Sequence, residues 1–266
     1  MPLTFAHPAA AVPLAKPLGR VGILSGLVIG SMVPDFVYLL PAPVSRSTSH
    51  DLPGLFRFCL PAGLIVFGLF HAALQRPLGA LMPASVQRRL GPPGSRRFDG
   101  LAVVISILIG ALTHIVWDSL THRDGWGVRA LPVMARPLGS ISGYDVFPFR
   151  VLQHGSTLLG TLLLVRWARR WVRSAEILEA APPPSLSHRA RGLVVGGLLA
   201  GAAVVGIVAA TAAERGPGPI TLGTLPPVVG RGVRSGLQAL AVGILLYASS
   251  WHATAGSRRE ARAPHG

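Results

Sequence analysis

Cysteine is nearly missing from this sequence: Cys59 is the single one in 266 residues. It lies in an apolar run, which excludes an intramolecular disulfide and a thiolate-ligated metal site. Charge is scarce as well. Only 13% of the residues are charged, against ~25% in soluble domains. With a mean hydropathy of +0.51, that marks an integral membrane protein. Acidic residues are the scarcest, 10 against 25 Lys and Arg, for a formal net charge of +15. In a soluble chain this excess would suggest nucleic acid. Here the arginines lie between apolar runs, as membrane-flanking charge does, and no nucleic-acid partner is expected. The early basic region of a cleaved signal peptide is also lacking, since the first charged residue is Lys16 and no short apolar run with a cleavage motif comes after it.

What the sequence does have is organised around residues 101–126, LAVVISILIGALTHIVWDSLTHRDGW. Charge is absent from Leu101 to Trp117, and together with the next few residues the run is long enough to cross a bilayer (~20 apolar residues). His114, Asp118 and His122 recur at steps of four, on one slowly drifting helix face. An ionised side chain in hydrocarbon costs at least ~2.5–3.5 kcal/mol, so such groups face a cavity, a partner or a metal. His114 and Asp118 can reach one cation together. His114 and His122 are ~12 Å apart along the axis, so two ions ~3.5–4 Å apart with Asp118 between them fit better than one. The alternative is a set of polar residues hydrogen-bonded to neighbouring helices.

Around this helix the pattern predicts an all-α, polytopic helical membrane protein of about six spans, near 21–40, 55–75, 101–121, 150–172, 192–212 and 233–251. Residues 1–20 are too broken by Pro8, Pro13 and Pro17 to span. They form a short helix starting at Pro8, a favoured first position, folded back on the first long helix with His7 at its start. That hairpin brings His7 to the depth of Asp35, an intramembrane carboxylate and so a functional candidate. Gly22, Gly26 and Gly30 repeat at four and offer a close-packing face. Gly192, Gly196, Gly197 and Gly201 suggest the same for the fifth span. The expected organisation is a helical core over 1–173 with the metal site, a proline-rich cytoplasmic linker at 174–190, a two-helix membrane hairpin at 191–252 and a basic disordered tail at 253–266.

Arginine asymmetry sets orientation. The turn at 16–20, the loop at 76–100, the segment at 166–191 and the tail hold most of the positive charge and should face the cytoplasm. The loops at 41–54, 123–149 and 213–232 then lie outside. His50, Asp118, His122 and His154 converge near that outer surface of the cell (inner or plasma) membrane, joined through the hairpin by Asp35 and His7.

The motifs gathered so far are FAHPAA at 5–10, GSMVPDF at 30–36, STSHDLPGLF at 47–56, THIVWDSLTHRDGW at 113–126 and VLQHGS at 151–156. In this order they resemble the bacterial membrane family called domain of unknown function 4184, over about the first two-thirds of the chain. That family carries no established activity. More distantly the pattern is similar to the membrane-bound metal-dependent hydrolases, and through them to the all-α zinc-dependent phospholipase C and single-strand nuclease fold. The resemblance implies that His7, Asp35, His50, His114, Asp118 and His122 ligate a cluster of metal ions. One departure stands out: those soluble enzymes end on His-x-x-x-Glu, and here the residue four after His154 is Leu158. Two ions are therefore favoured over three, with His154 an optional ligand. Ligation by His and Asp without cysteine suits zinc, with manganese or iron as alternatives.

As an enzyme the chain would hydrolyse a phosphoester with metal assistance. Asp118 would bridge the ions, Asp51 or Asp124 would take a proton, and Arg46 or Arg123 would receive a phosphate oxygen. A site at the bilayer surface favours a lipid or lipid-linked substrate. The competing readings are a non-catalytic metal-binding or permeating protein and a purely structural one. Oligomeric state stays open, because glycine-repeat faces serve packing within and between chains alike.

Overall fold

The computed structural model describes residues 4–40, 46–90, 97–141, 144–178, 186–212 and 225–260. Helices account for nearly all of it: α1 (Pro8–Ala11), α2 (Leu24–Met32), α3 (Leu52–Leu81), α4 (Ala84–Gln87), α5 (Gly100–Thr121), α6 (Trp126–Ala130), α7 (Pro148–Ser174), α8 (His188–Ala212) and α9 (Leu225–Glu260). A two-stranded antiparallel hairpin, β1 (Gly139–Ile141) with β2 (Tyr144–Val146), pairs Ser140 with Asp145 and occupies part of the loop predicted at 123–149. Three helices, α3, α5 and α8, are long and apolar enough to cross a membrane. Of the other predicted spans, the first is the shorter apolar helix Leu24–Tyr38, and the remaining two fall in α7 and α9. Residues 91–96 of the predicted 76–100 loop, the proline-rich centre of the expected linker, residues 213–224 of the predicted 213–232 loop and the end of the tail lie outside the described residues; α9 itself runs on to Glu260.

The chain divides into two compact units, Met1–Gly68 with Arg97–Ser174, and Leu69–Arg96 with Ala175–Gly266. In the first, α2 lies tight against α5 because glycines remove the side chains between them. A Cβ on Gly30 would collide with the backbone of Ile107, and one on Gly110 with the backbone of Leu27 and Ser31. Such close approach gives dispersion contact that leucine pairs cannot reach in lipid. The polar start of α2 is satisfied from across this seam: Ser106 Oγ accepts from Ile23 N–H at 2.9 Å and donates to the Val21 carbonyl at 2.6 Å. Apolar side chains complete the interior, Val33, Leu55, Cys59, Ala111 and Ile115 in one cluster and Phe67, Val103 and Ile107 in another. The short α1 packs against α2, α5 and α7, the fold-back predicted from its prolines.

Prolines shape the long helix α3. Pro61 and Pro77 lack an N–H and crowd the carbonyl four residues back, and the turns before them widen, over Leu55–Cys59 and Phe70–Leu74. In the second unit the carbonyl thereby released, that of Ala73, accepts from His252 Nε2 at 2.8 Å, and Tyr247 donates to the Pro77 carbonyl at 3.0 Å. Here α8 and α9 also meet through small residues, but these are Gly206, Gly232 and Gly236. The glycines singled out from the sequence, Gly192, Gly196, Gly197 and Gly201, meet no described neighbour within 4 Å. They lie on another face of α8, for α9 passes their stretch too: a Cβ on Gly243 would lie 2.8 Å from Leu198 Cδ2 and one on Gly236 2.9 Å from the Ala202 carbonyl.

Candidate metal centre

Four pieces of the first unit deliver side chains to one point. α5 supplies His114 and Asp118, one turn apart and both buried. Asp35 arrives from the tight 3-10 turns Val33–Tyr38 that continue α2. Pro34 explains them: without an N–H it cannot extend α2's bonding, so the helix rewinds. The loop at 46–51 contributes Arg46 and His50. His7 stands at the start of α1, where its side chain makes no cap bond and its imidazole turns inward, 6% exposed. His122 ends α5 as its C-terminal cap residue.

Two histidines are held with one nitrogen spent and the other presented. His114 Nδ1 donates to the Ser31 carbonyl at 2.7 Å. Ser49 Oγ gives its hydrogen to the Arg46 carbonyl, so His50 Nδ1, 2.8 Å away, donates to it. In both rings the lone pair is therefore on Nε2, the arrangement that orients histidine ligands in metal sites. Asp35 is fixed likewise: Thr4 Oγ1 donates to its Oδ2 at 2.7 Å, which leaves Oδ1 facing inward.

The facing atoms are spaced for a cation, not for one another. His50 Nε2 lies 3.6 Å from Asp35 Oδ1 and 3.4 Å from Asp118 Oδ2. His114 Nε2 lies 3.7 Å and 3.5 Å from the same two oxygens. All four donor atoms fall within 4.8 Å of one another. Four of the six edges between these atoms are thus 3.4–3.7 Å; the corners of a regular tetrahedron of that size sit roughly 2.1–2.3 Å from its centre, close to the ~2.0–2.2 Å of imidazole and carboxylate ligands to zinc. His7 Nε2 approaches the other oxygen, Asp118 Oδ1, at 3.6 Å, with its ring stacked on His114 at 3.8 Å between centroids. Among the described residues, His7 Nε2, His50 Nε2, His114 Nε2 and Asp118 Oδ1 are buried without any hydrogen-bond partner. Leaving such a group unpaired costs ~1–3 kcal/mol. Four on one centre is the signature of a missing shared partner, and the donor set fits a divalent ion.

Electrostatics agree. The centre gathers two carboxylates, Asp35 and Asp118, and one guanidinium, Arg46, which donates to Asp118 Oδ2 at 2.6 Å. Burial first, and then the neighbouring His114, lowers His7 to about 4, so this imidazole is neutral and ready to ligate at physiological pH. Burial works against a charge on His50 too, but the Asp118 and Asp35 carboxylates outweigh it and raise its pKa.

The remaining predicted residues are placed differently. His122 Nδ1 lies 3.4 Å from Asp118 Oδ2, yet it also faces the Asp118 carbonyl at 3.3 Å, and its Nε2 meets Gln153 Nε2 at 3.1 Å. Burial holds it at about 4. His154 is exposed and stands outside the group; its neighbour Gln153, which sequence reasoning passed over, is the buried one that reaches it. Asp51 caps α3, its Oδ1 accepting from Gly54 N–H at 2.6 Å. Arg123 is exposed and lies over the Phe147 ring, 5.9 Å from its centroid.

The chain belongs to the family described as Domain of unknown function (DUF4184), which matches it over residues 1–249. Comparison with curated proteins and with solved structures finds no significant match.

Proposed function

For this member of a family without an assigned activity, we propose a membrane-embedded, metal-dependent hydrolase that acts on a phosphoester in a lipid or lipid-linked substrate. The observation that carries the reading is the convergence of unpartnered buried donors from His7, His50, His114 and Asp118. Asp35, His50, His114 and Asp118 Oδ2 would hold a first ion, zinc by ligand type. His7 and Asp118 Oδ1 would hold a second, which protein ligands surround less completely. When bound, a divalent ion supplies Lewis acidity: it acidifies water and offsets charge developing on a phosphoryl oxygen. His122, braced by Gln153, positions Asp118. Arg46, with its side chain 31% exposed, exchanges its bond to Asp118 for one to a phosphate oxygen. Arg123 is a second cation at the rim, and Asp51 takes the proton through the oxygen its cap leaves over. The Arg46 guanidinium at Asp118 also disfavours cation permeation as the alternative.

Position supports a surface substrate. From Asp99 to Asp118, α5 rises ~28 Å, and from Gln153 to Arg169, α7 rises ~24 Å, close to the ~30 Å of a hydrocarbon core. The basic residues Arg97, Arg166, Arg169, Arg170 and Arg173 therefore stand at the opposite end of these helices from the centre. By the positive-inside rule the centre faces the outer side of the cell membrane, in a multi-pass protein of about six spans.

The test is metal analysis of the purified full chain together with turnover of bis(p-nitrophenyl) phosphate. Zinc should co-purify, a chelator should abolish turnover and added zinc restore it. His114→Ala and Asp118→Ala should lose both while retaining helicity by circular dichroism. Metal-loaded protein that turns over no phosphoester would overturn the hydrolase reading and leave a metal-binding one.

A further inference from the structure

We infer that the open cleft between α1, α5 and α7 takes a single alkyl chain of a phosphate-bearing membrane lipid, whose head group then lies at the metal centre. The inference rests on the hydrolase reading and narrows its substrate class to amphiphiles with a free-standing tail. The cleft has a volume of ≈ 210 Å³ and is lined chiefly by apolar atoms. Its few polar side chains are already engaged. Trp117 Nε1 donates to Ser156 Oγ at 3.1 Å, and the hydroxyls of Ser156 and Thr157 both turn back to the Gln153 carbonyl. Apart from His7, what remains toward the cleft is hydrocarbon, with no other side-chain donor to hold a sugar or a peptide.

One wall residue is different. His7 lines the cleft, while its buried Nε2 lies 3.6 Å from Asp118 Oδ1, so a single imidazole ring stands between the cleft and the centre. The direction is fixed by α7. Ser156 and Thr157 lie one turn from Gln153, which touches His122, whereas Leu163 is ~9 Å further along the helix, toward the arginine-bearing end. A chain lying there runs along α7 into the membrane, as a lipid tail does. The small side chains of Ala9 and Ala10 on α1 leave the room for it. At the centre, Arg46 and the cation ligands complement an anionic head group, and together the two ends describe an amphiphile.

The experiment uses the full chain in zinc-containing nanodiscs and a single-chain alkyl phosphate carrying a diazirine near the end of its tail. After irradiation, mass spectrometry should place the label within residues 6–10 or 156–163. An unlabelled dodecyl phosphate should compete and dodecanol should not. Ala10→Trp, a substitution at an exposed position that fills the cleft, should reduce this labelling at least roughly tenfold at undiminished metal content, and Leu163→Trp at the distal end should do the same. Because labelling requires no turnover, it stands or falls separately from hydrolysis. If hydrolysis is present, kcat/KM for a dodecyl phosphodiester relative to its methyl analogue should fall in Ala10→Trp by a similar factor. Label spread evenly over the outer faces of the helices, or equal competition by dodecanol, identifies ordinary boundary lipid and overturns the inference.

Discussion

Gly30→Ala tests whether the close approach of α2 and α5 builds the metal centre. The added carbon would lie 2.9 Å from both the carbonyl carbon and the Cα of Ile107, with the carbonyl oxygen nearer still. Carbon atoms settle at ~3.5–4.0 Å, so the two backbones must part by roughly 0.6–1.1 Å, and neither can yield as a side-chain tip would. Overpacking of this kind costs ~1–3 kcal/mol of stability. Asp35 lies five residues beyond Gly30, on the continuation of the same helix, while His114 and Asp118 sit on the opposing one. The displacement therefore enters the 3.7 Å separation between Asp35 on the one and His114 on the other. A metal site tolerates ~0.2 Å in ligand distance, several times less than the shift. Zinc affinity should fall at least ~10–100-fold, the loss seen when ligand support is removed. Competitive titration against a fluorescent chelator reads the affinity, and thermal denaturation in detergent reads the stability. Gly155→Ala on α7 is the control: its Cβ meets nothing within 4 Å, and removing a helical glycine should leave stability unchanged or ~1 kcal/mol higher. Wild-type zinc affinity in Gly30→Ala would refute the claim that this seam sets the ligand geometry.

Other outcomes turn on single contacts. Ser106→Ala removes the partner of Ile23 N–H and of the Val21 carbonyl; a loss of ~1–3 kcal/mol by thermal unfolding, at unchanged zinc stoichiometry, is expected. Asp51→Ser keeps a capping oxygen but no carboxylate, so stability should stay within ~1 kcal/mol while phosphodiester turnover drops; full turnover would reduce Asp51 to a helix cap. Because the His50 pKa is raised above 6.5, zinc added near pH 6 must displace its proton, whereas His7, lowered to about 4, has none to release. Calorimetry in buffers of different ionisation enthalpy should show about one proton leaving per His50-ligated ion, and none in His50→Ala. In metal-free protein the signs are opposite. The raised His50 contributes stability that is full below pH ~6.5 and is lost as pH rises through its folded value, while the lowered His7 contributes stability present above ~6.5 and lost as pH falls toward 4. Thermal unfolding of His50→Ala and His7→Ala across pH 4–8 separates the two.

The parts legible in the sequence were those in which one residue type carries its own local consequence. Pro8 at a first helical position, with Pro13 and Pro17 after it, dictated a short α1 that cannot span. Asp118 in an apolar run dictated a partner, and the His114 spacing placed that partner on the same face. Gly26 and Gly30 marked the seam because a missing side chain on a membrane helix has few other uses. The glycines of α8 show where this logic stops: composition identified a glycine-rich helix, but the contacting face depends on where α9 crosses it, which no residue of α8 encodes alone. The strands β1 and β2 escaped for a related reason, since each is three residues long and carries no periodicity worth the name.

The centre divides along the same line. Ionisable residues inside or beside apolar runs were recognisable, and Asp35, His50, His114 and Asp118 meet at one point. Whether a nitrogen in that neighbourhood remains available as a ligand is settled by its second contact, and second contacts are tertiary. Ser31 offers a carbonyl to His114 and Ser49 a hydroxyl to His50, so these rings keep a bare Nε2. Gln153 faces His122, and that ring spends both nitrogens on the protein. A glutamine next to a histidine in sequence gave no sign of which would point inward: α7 presents Gln153 to α5 and turns His154 to the outside. The helical step of 100° per residue between those two side chains decides which of them can touch the centre, and only the packing of α7 on α5 fixes its phase.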